Sequence, residues 1–348
     1  MAAEHADPAA SRFGWLVPVL GLAVLAALPA VLTPYTQDLV LKIAVFAIFA
    51  LSLELLVGTT GLVSLGHAAF FGIGAYAAVL FTGGVGSLPA GLAWLAGDGG
   101  AAPLLKLLAL SIGFAALYAL FVGALSLRTT GVYFIMVTLA FAQMAYFVFH
   151  DTKVGGGSDG IFLYAKPVLE IGGSTLIDLD RKTHFYYFTL GALAVTHGVL
   201  ALVIRSRLGH ALAGIRVNEQ RMRAAGFRTY GYKLAAFVIA GALAGLAGFL
   251  VGVKDGAVNP ELLSWHESGA VLLMIILGGI GSLRGAVLGA VAFTLLKELF
   301  QSEALLGPIA GHWQLTLGLT IIAFVALLPK GLIGLKQRLG LGRGASHG

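Results

Sequence analysis

Ionisable side chains set in apolar runs are the residues of this sequence best placed for chemistry. Glu54, His67, His197, Lys297 and Glu298 lie within or beside long hydrocarbon stretches, where a charge is costly and such groups serve proton relays, ligand contacts or ion pathways. Position weakens that reading for four of them. Glu54 and His67 fall near one end of their runs and Lys297 and Glu298 near the other, so their heads can reach water by snorkelling. His197 sits deeper, where a lone helix histidine more often bonds a neighbouring helix than a ligand. Enzyme signatures are missing: the sequence holds no GxSxG, no HExxH, no pair of carboxylates in one apolar region, and no GxxxxGK followed by Ser or Thr to cradle phosphates. The cysteine count of 0 excludes disulfides, thiolate metal sites and a cysteine nucleophile. Gly72, Gly74 and Ala77 match GxGxxA in form, but inside an apolar run they read as small residues that let helices approach.

The elements that position these residues are membrane spans. Apolar residues make up 58% of the chain and charged residues 11%, where a soluble domain carries about 25% charged; the mean hydropathy is +0.93. A span needs about 20 apolar residues to cross roughly 30 Å of hydrocarbon. Taken in order, residues 13–32, 39–57, 62–81, 107–127, 132–149, 185–204, 234–253, 268–280, 286–299 and 315–328 qualify. The fold class is therefore all-α and polytopic, with about ten transmembrane or re-entrant helices, the short segments between 268 and 299 being the candidates for re-entry. A cytoplasmic tail (1–12) precedes a membrane domain (13–328), and a basic tail (329–348) follows it. The net charge of +6 orients the chain and is no signal for nucleic acid, because the basic residues sit between and after spans.

Residues 205–233 form the one strongly basic loop, with Arg205, Arg207, Arg216, Arg221, Arg223, Arg228 and Lys233 against Glu219 alone. Lys and Arg are retained on the inner side during insertion, so the loop is expected in the cytoplasm with both termini. Leu212, Ile215 and Met222 fall on one helical face and Arg216, Glu219 and Arg223 on another. That spacing predicts one amphipathic helix of about four turns, with Glu219 pairing to Arg216 and Arg223. Such a helix either sets topology or docks a partner, since an apolar ridge flanked by charges suits a groove. Gly226 reads as its stop. On the outer side, residues 150–184 make the longest excursion and carry GGGSDG.

Two glycine-broken stretches resemble each other: GLVSLGHA (61–68) and GIGSLRGA (279–286) share Gly, Ser, Leu and Ala. Each opens an outgoing run. Interrupted segments in corresponding positions of two halves point to a transport path.

LVSLGHAAFFGIGAYAA, TTGVYFIMVTLAFAQMAYFV with GGGSDG after it, ALAGIRVNEQRMRAAGF and LGGIGSLRGAVLGA, four motifs in order, resemble the branched-chain amino acid permeases of ATP-binding cassette importers. The LivM-type subunit is nearer than its LivH-type paralogue. The resemblance implies an ABC importer permease fold in the bacterial inner membrane, and a pore that is not an enzyme. It implies a heterodimer with a LivH-type permease, two ATP-binding cassette subunits that hold the ATP-Mg, a periplasmic binding protein, and no cofactor on this chain. It makes Arg216, Asn218, Glu219, Ala224 and Gly226 the contacts to the ATPase, and Ser64, Gly66, His67, Ser282 and Gly285 the path or gate. Gly156, Gly157, Ser158 and Asp159 become the loop facing the binding protein. Thr59, Thr60 and Glu54 depart from the family's usual residues. Rival expectations are a urea or short-chain amide permease of the same family, an ion-driven secondary transporter, and a membrane-embedded enzyme. The last two want a deep carboxylate or a nucleophile and base at one depth, which the spans lack.

Overall fold

The computed structural model describes residues 29, 33–82, 90–95, 103–163, 165–171, 174–303, 307–328 and 331–338. Apart from residue 29, the expected span at 13–32 lies outside them, as do the tail 1–12 and the basic residues Lys330 and Arg343.

Helix α1 (Pro34–Glu54) opens on a proline, whose fixed φ suits a first turn, and runs on as a π-helical turn over Leu55–Thr60. Gly61, with φ 74, ends it, a left-handed conformation that costs glycine little. After an irregular stretch come α2 (His67–Leu80), α3 (Leu104–Ser126), α4 (Val132–Asp151) and α5 (Lys182–Arg205). Two short helices, α6 (Arg207–Val217) and α7 (Glu219–Ala224), lead to α8 (Thr229–Asp255). The chain closes with α9 (Trp265–Gly278), α10 (Leu283–Gln301), α11 (Trp313–Leu327) and α12 (Gly331–Arg338). Among the described residues the sheet content is two antiparallel ribbons: β1 (Ile161–Phe162) with β4 (Ala257–Val258), and β2 (Val168–Ile171) with β3 (Ser174–Asp178).

Among the described residues six stretches are long and apolar enough to cross a membrane: Pro34–Thr60, Leu104–Ser126, Val132–Asp151, Lys182–Arg205, Thr229–Asp255 and Ala310–Gly334. The all-α multi-pass architecture holds; among the described residues the remaining expected segments are one short helix and a bent pair. Helix α2 has 14 residues, about 21 Å at 1.5 Å per residue, too short to span alone. Helices α9 and α10 are bent by 115° at their glycine break, a broken or re-entrant pair and not two independent spans. Apolar runs count residues and do not register where glycine interrupts the helix.

The loops gather at two ends. At one, Tyr230 donates to the Ala124 carbonyl at 2.8 Å and Arg216 reaches Gly58. At the other, Lys182 lies 3.5 Å from Asp38, Tyr146 bonds Glu261 at 3.4 Å, and β1 pairs with β4. The first end holds the basic loop and is called the basic end below.

Helices α1, α2 and α8 make the centre, enclosing Phe49, Phe70, Phe71, Tyr76, Phe237 and Phe249. Helices α3, α4 and α5 surround them and α11 packs on α9 and α10; these four expose Leu117, Met136, Leu202 and Ile322, side chains at home in lipid. Lipid is as apolar as these residues, so packing and not hydrophobic expulsion holds the centre together. Glycine makes it possible: a Cβ on Gly248 of α8 would lie 1.9 Å from the Phe71 carbonyl oxygen, and one on Gly289 of α10 1.8 Å from that of Met274. Gly191 of α5 faces open space.

Gly248→Ala is expected to lower stability by about 1–3 kcal/mol, the cost of overpacking, read as thermal melting in detergent. Gly191→Ala should leave melting unchanged or raise it by up to about 1 kcal/mol through helix propensity. Equal effects of the two would remove the glycine-packing account.

Candidate functional site

The basic loop is two helices, not the single four-turn helix its periodicity suggests. Helix α6 follows α5 after one residue, Ser206, whose Oγ donates to the Val203 carbonyl at 2.6 Å and accepts from the Gly209 amide at 3.4 Å. Asn218, extended at φ -159 and ψ 101, then breaks the helix and caps α7 by accepting from the Arg221 amide at 2.9 Å. Asparagine competes for backbone amides in this way and favours caps over helix interiors. Gly226 stops α7 as expected: at φ 88 its amide donates to Arg223 O at 2.9 Å and that of Phe227 to Met222 O at 3.1 Å, the paired bonds of a Schellman cap. Ala224 and Gly226 are exposed.

The apolar ridge predicted for a partner is spent within the chain, since Leu212 and Ile215 are buried. The free surface is instead polar around Asn218, Arg221 and Ala224, with Val217 84% exposed.

Glu219 is the knot of the loop. It accepts from Arg223 at 2.6 Å, Lys233 at 2.8 Å and Thr229 at 2.9 Å, joining α7 to the start of α8. Burial pushes its carboxyl up, but the bonds from Lys233, Arg223 and Thr229 outweigh that and hold it below the usual carboxylate range. The pairing expected with Arg216 does not form. Arg216 turns the other way and its Nη1 donates to the Gly58 carbonyl inside the π-helical turn of α1. Its methylenes pass 3.3 Å from where a Cβ on Gly61 would stand, so Gly61 supplies both a backbone turn and room.

The turn that Arg216 holds adjoins the first break. A π turn in an α-helix is a frequent mark of a functional site. One helical turn above Gly58, Glu54 is 2% exposed, and its Oε1 accepts from the Gly281 amide at 2.6 Å. Snorkelling, expected from its place in the sequence, does not occur. A Cβ at Gly58 would collide with Glu54 Oε1. Gly281, at φ 97, lies in the tip between α9 and α10, so the carboxylate ties the break after α1 to the break between those helices. Ser282 caps α10 by accepting from the Gly285 amide at 3.1 Å. Gly285 and Gly278 let the arms of the bend touch backbone to backbone.

At the first break Ser64, fully buried, accepts from the Gly66 amide at 3.3 Å. Gly66 lies against the Thr138 carbonyl of α4, where a Cβ would be 2.2 Å away. His67 starts α2 with no exposure. Since the Ser52 hydroxyl donates to the Phe49 carbonyl at 2.7 Å, it accepts from His67 Nε2 at 2.8 Å, and His67 Nδ1 has no protein partner among the described residues. Ser268 of α9 accepts from the Ala68 amide at 2.9 Å. Helix α2 thus begins inside the bundle and presents a half-helix N-terminus there, the feature by which transporters meet anionic substrate groups. The structure places Ser64, Gly66 and His67 at one break and Ser282 and Gly285 at the other. Ser52, Ser268 and Thr138 complete the first, and the sequence holds no signal for them beyond small polar residues in apolar runs.

At the opposite end, Gly156, Gly157 and Gly160 take φ between 70 and 75. They fold the GGGSDG loop onto β4 and leave Ser158 and Asp159 exposed. The Tyr76 hydroxyl reaches the Gly155 carbonyl at 3.4 Å, so α2 connects this loop to the break.

The profile of the family described as the branched-chain amino acid transport system permease component matches residues 35–326. The high-affinity branched-chain amino acid transport system permease protein LivM of Escherichia coli is 29% identical over 96% of this chain and 78% of its own, and that of Salmonella typhimurium 28% over the same shares. The corresponding permease protein BraD of Pseudomonas aeruginosa is 33% identical over 27% of this chain and 31% of its own. No solved structure matches. With the match running from the first turn of α1 to the end of α11, this chain belongs to the branched-chain amino acid transport system permease family and is a multi-pass membrane component of a transporter.

Proposed function

We propose that the chain is the LivM-type half of the pore of an ATP-driven importer of branched-chain amino acids in the bacterial inner membrane. In this reading its basic end faces the cytoplasm, as retention of Lys and Arg on the inner side requires. A LivH-type permease completes the pore, two ATP-binding cassette subunits hold ATP-Mg against the polar surface of α6 and α7, and a periplasmic binding protein delivers substrate to the loop of Gly156, Gly157, Ser158 and Asp159. The observation that carries it is the Arg216 bond to Gly58. A helix pair outside the bundle is gripped to the irregular end of its central span, so a partner that moves α6 moves the break. Nucleotide binding would then favour one of two positions of α2 and of the α9–α10 tip through differential contacts, which coupling requires. The Glu54 bond to Gly281 supports a shared motion of the two breaks.

Reconstituted with its partners, the complex is expected to take up radiolabelled leucine only with ATP, and excess urea should not compete. Urea competition would favour the amide-permease alternative, and uptake by the isolated chain an ion-driven one.

Arg216→Ala is expected to leave membrane insertion intact and to lower transport-coupled ATPase activity at least tenfold, about 1.4 kcal/mol of coupling. Coupled activity equal to that of the unmodified complex would remove the lever.

Because the Glu219 carboxyl is held below its ordinary value of 4.5, its stabilising contribution is complete above that value and fades as pH falls through the lower folded one. Melting of the complex should thus show an acid-side loss that Glu219→Gln removes. At pH 7 the same variant should cost about 1.5–3 kcal/mol, the range for hydrogen bonds to charged groups.

A further inference from the structure

Between α1, α5 and α10 lies an apolar groove that encloses about 70 Å³, or about 430 Å³ with its open mouth, and is lined among others by Leu41, Ala44, Tyr186, Leu193, Val287 and Val291. From Tyr186 to Leu193 it runs roughly 10 Å along α5. Its enclosed part equals about two water molecules at ~30 Å³ each, so it takes methylene groups and no folded solute. Water gains little there, because an apolar lining offers it no bonds. The helices around the mouth are dressed for lipid: Val195 of α5 is 63% exposed and Leu288 of α10 47%.

At the end opposite the basic loop the groove meets charge. Lys182 stands one helical turn before Tyr186 on the same face of α5, and Asp38 one turn before Leu41 on α1. The two lie 3.5 Å apart and both are exposed. Glu298, on the face of α10 that carries Val287 and Val291, accepts from Tyr35 and has Lys42 of α1 at 3.8 Å. Asp38 and Lys42 are four residues apart on one helix, which sets the two pairs side by side. Both separations exceed the about 2.7–2.9 Å of a closed charge-assisted bond, so each ammonium keeps donors and each carboxylate keeps lone pairs for a further partner. Two positive and two negative groups cancel, and the end of the groove is therefore suited to a group that carries both signs rather than to a bare anion.

We infer that the groove is a phospholipid site, with one acyl chain lying along Leu41, Ala44, Leu193 and Val287 and a phosphoethanolamine head at the two ion pairs. The phosphate accepts from Lys182 and Lys42, and the head's ammonium donates to Asp38 and Glu298. A phosphatidylglycerol head brings no cation to the two carboxylates, and a choline head brings a cation without N–H donors. The inference stands apart from the importer reading and needs only that the chain crosses a membrane.

The full chain, purified with whatever subunits stay bound to it, can be reconstituted in phosphatidylcholine vesicles with a trace of phosphatidylethanolamine that carries a diazirine in one acyl chain. After irradiation, peptide mass spectrometry is expected to find adducts on the groove residues of α1, α5 and α10. Unlabelled phosphatidylethanolamine should suppress them at about one tenth of the phosphatidylglycerol concentration needed. Asp38→Asn, at an exposed position, should keep the adducts and remove most of that tenfold preference, while Ala44→Phe, which fills the groove, should remove the adducts from these residues. Adducts only elsewhere, as when residues 13–32 or another subunit cover the groove, overturn the site. Equal competition by the two lipids, or an Asp38→Asn chain with its preference intact, overturns the headgroup assignment.

Discussion

Backbone amides and carbonyls cannot go unbonded in hydrocarbon, and every helix break in this bundle is a debt against that rule. The chain opens two breaks, before α2 and between α9 and α10, and meets them with few groups. Ser64 and Ser268 receive amides at the first, Ser282 and Glu54 at the second, and Arg216 comes from outside the bundle to take the Gly58 carbonyl. Ser64 and Gly66 of the first break are buried in protein, while Gly61 at its start and Ile280 and Gly281 at the tip of the second are exposed. Glu54 and Arg216 thus each satisfy a group that the break has freed, and each joins two elements.

Small residues set how close those elements come. Gly248 against Phe71 and Gly289 against Met274 put helix backbones in contact, which trades side-chain interdigitation for dispersion between main chains. Other glycines receive large side chains, Leu263 against Gly72 and Phe237 against Gly123, so the bundle combines backbone contact with interdigitation.

Much of the architecture was legible in hydropathy alone. The spans at 39–57, 107–127, 132–149, 185–204, 234–253 and 315–328 correspond to helices, because a run of about twenty apolar residues has few other stable states. The paired end-to-end contacts follow the alternation those runs imply. What periodicity did not reveal is depth. Glu54 and His67 read as near-surface groups, yet both are buried, Glu54 under the tip between α9 and α10 and His67 at the start of α2. Arg216 was assigned to Glu219 by i, i+3 spacing, and Asn218 between them cancelled that geometry by breaking the helix.

Ser206 alone separates the basic loop from the span before it, and its hydroxyl is engaged on both sides, to Val203 and to Gly209. A joint of one residue, bonded in both directions, stores no slack. In the proposed importer a tug on α6 would arrive at α5 undamped while Arg216 would pass it to α1, a crank with two throws that a partner need move only a short distance.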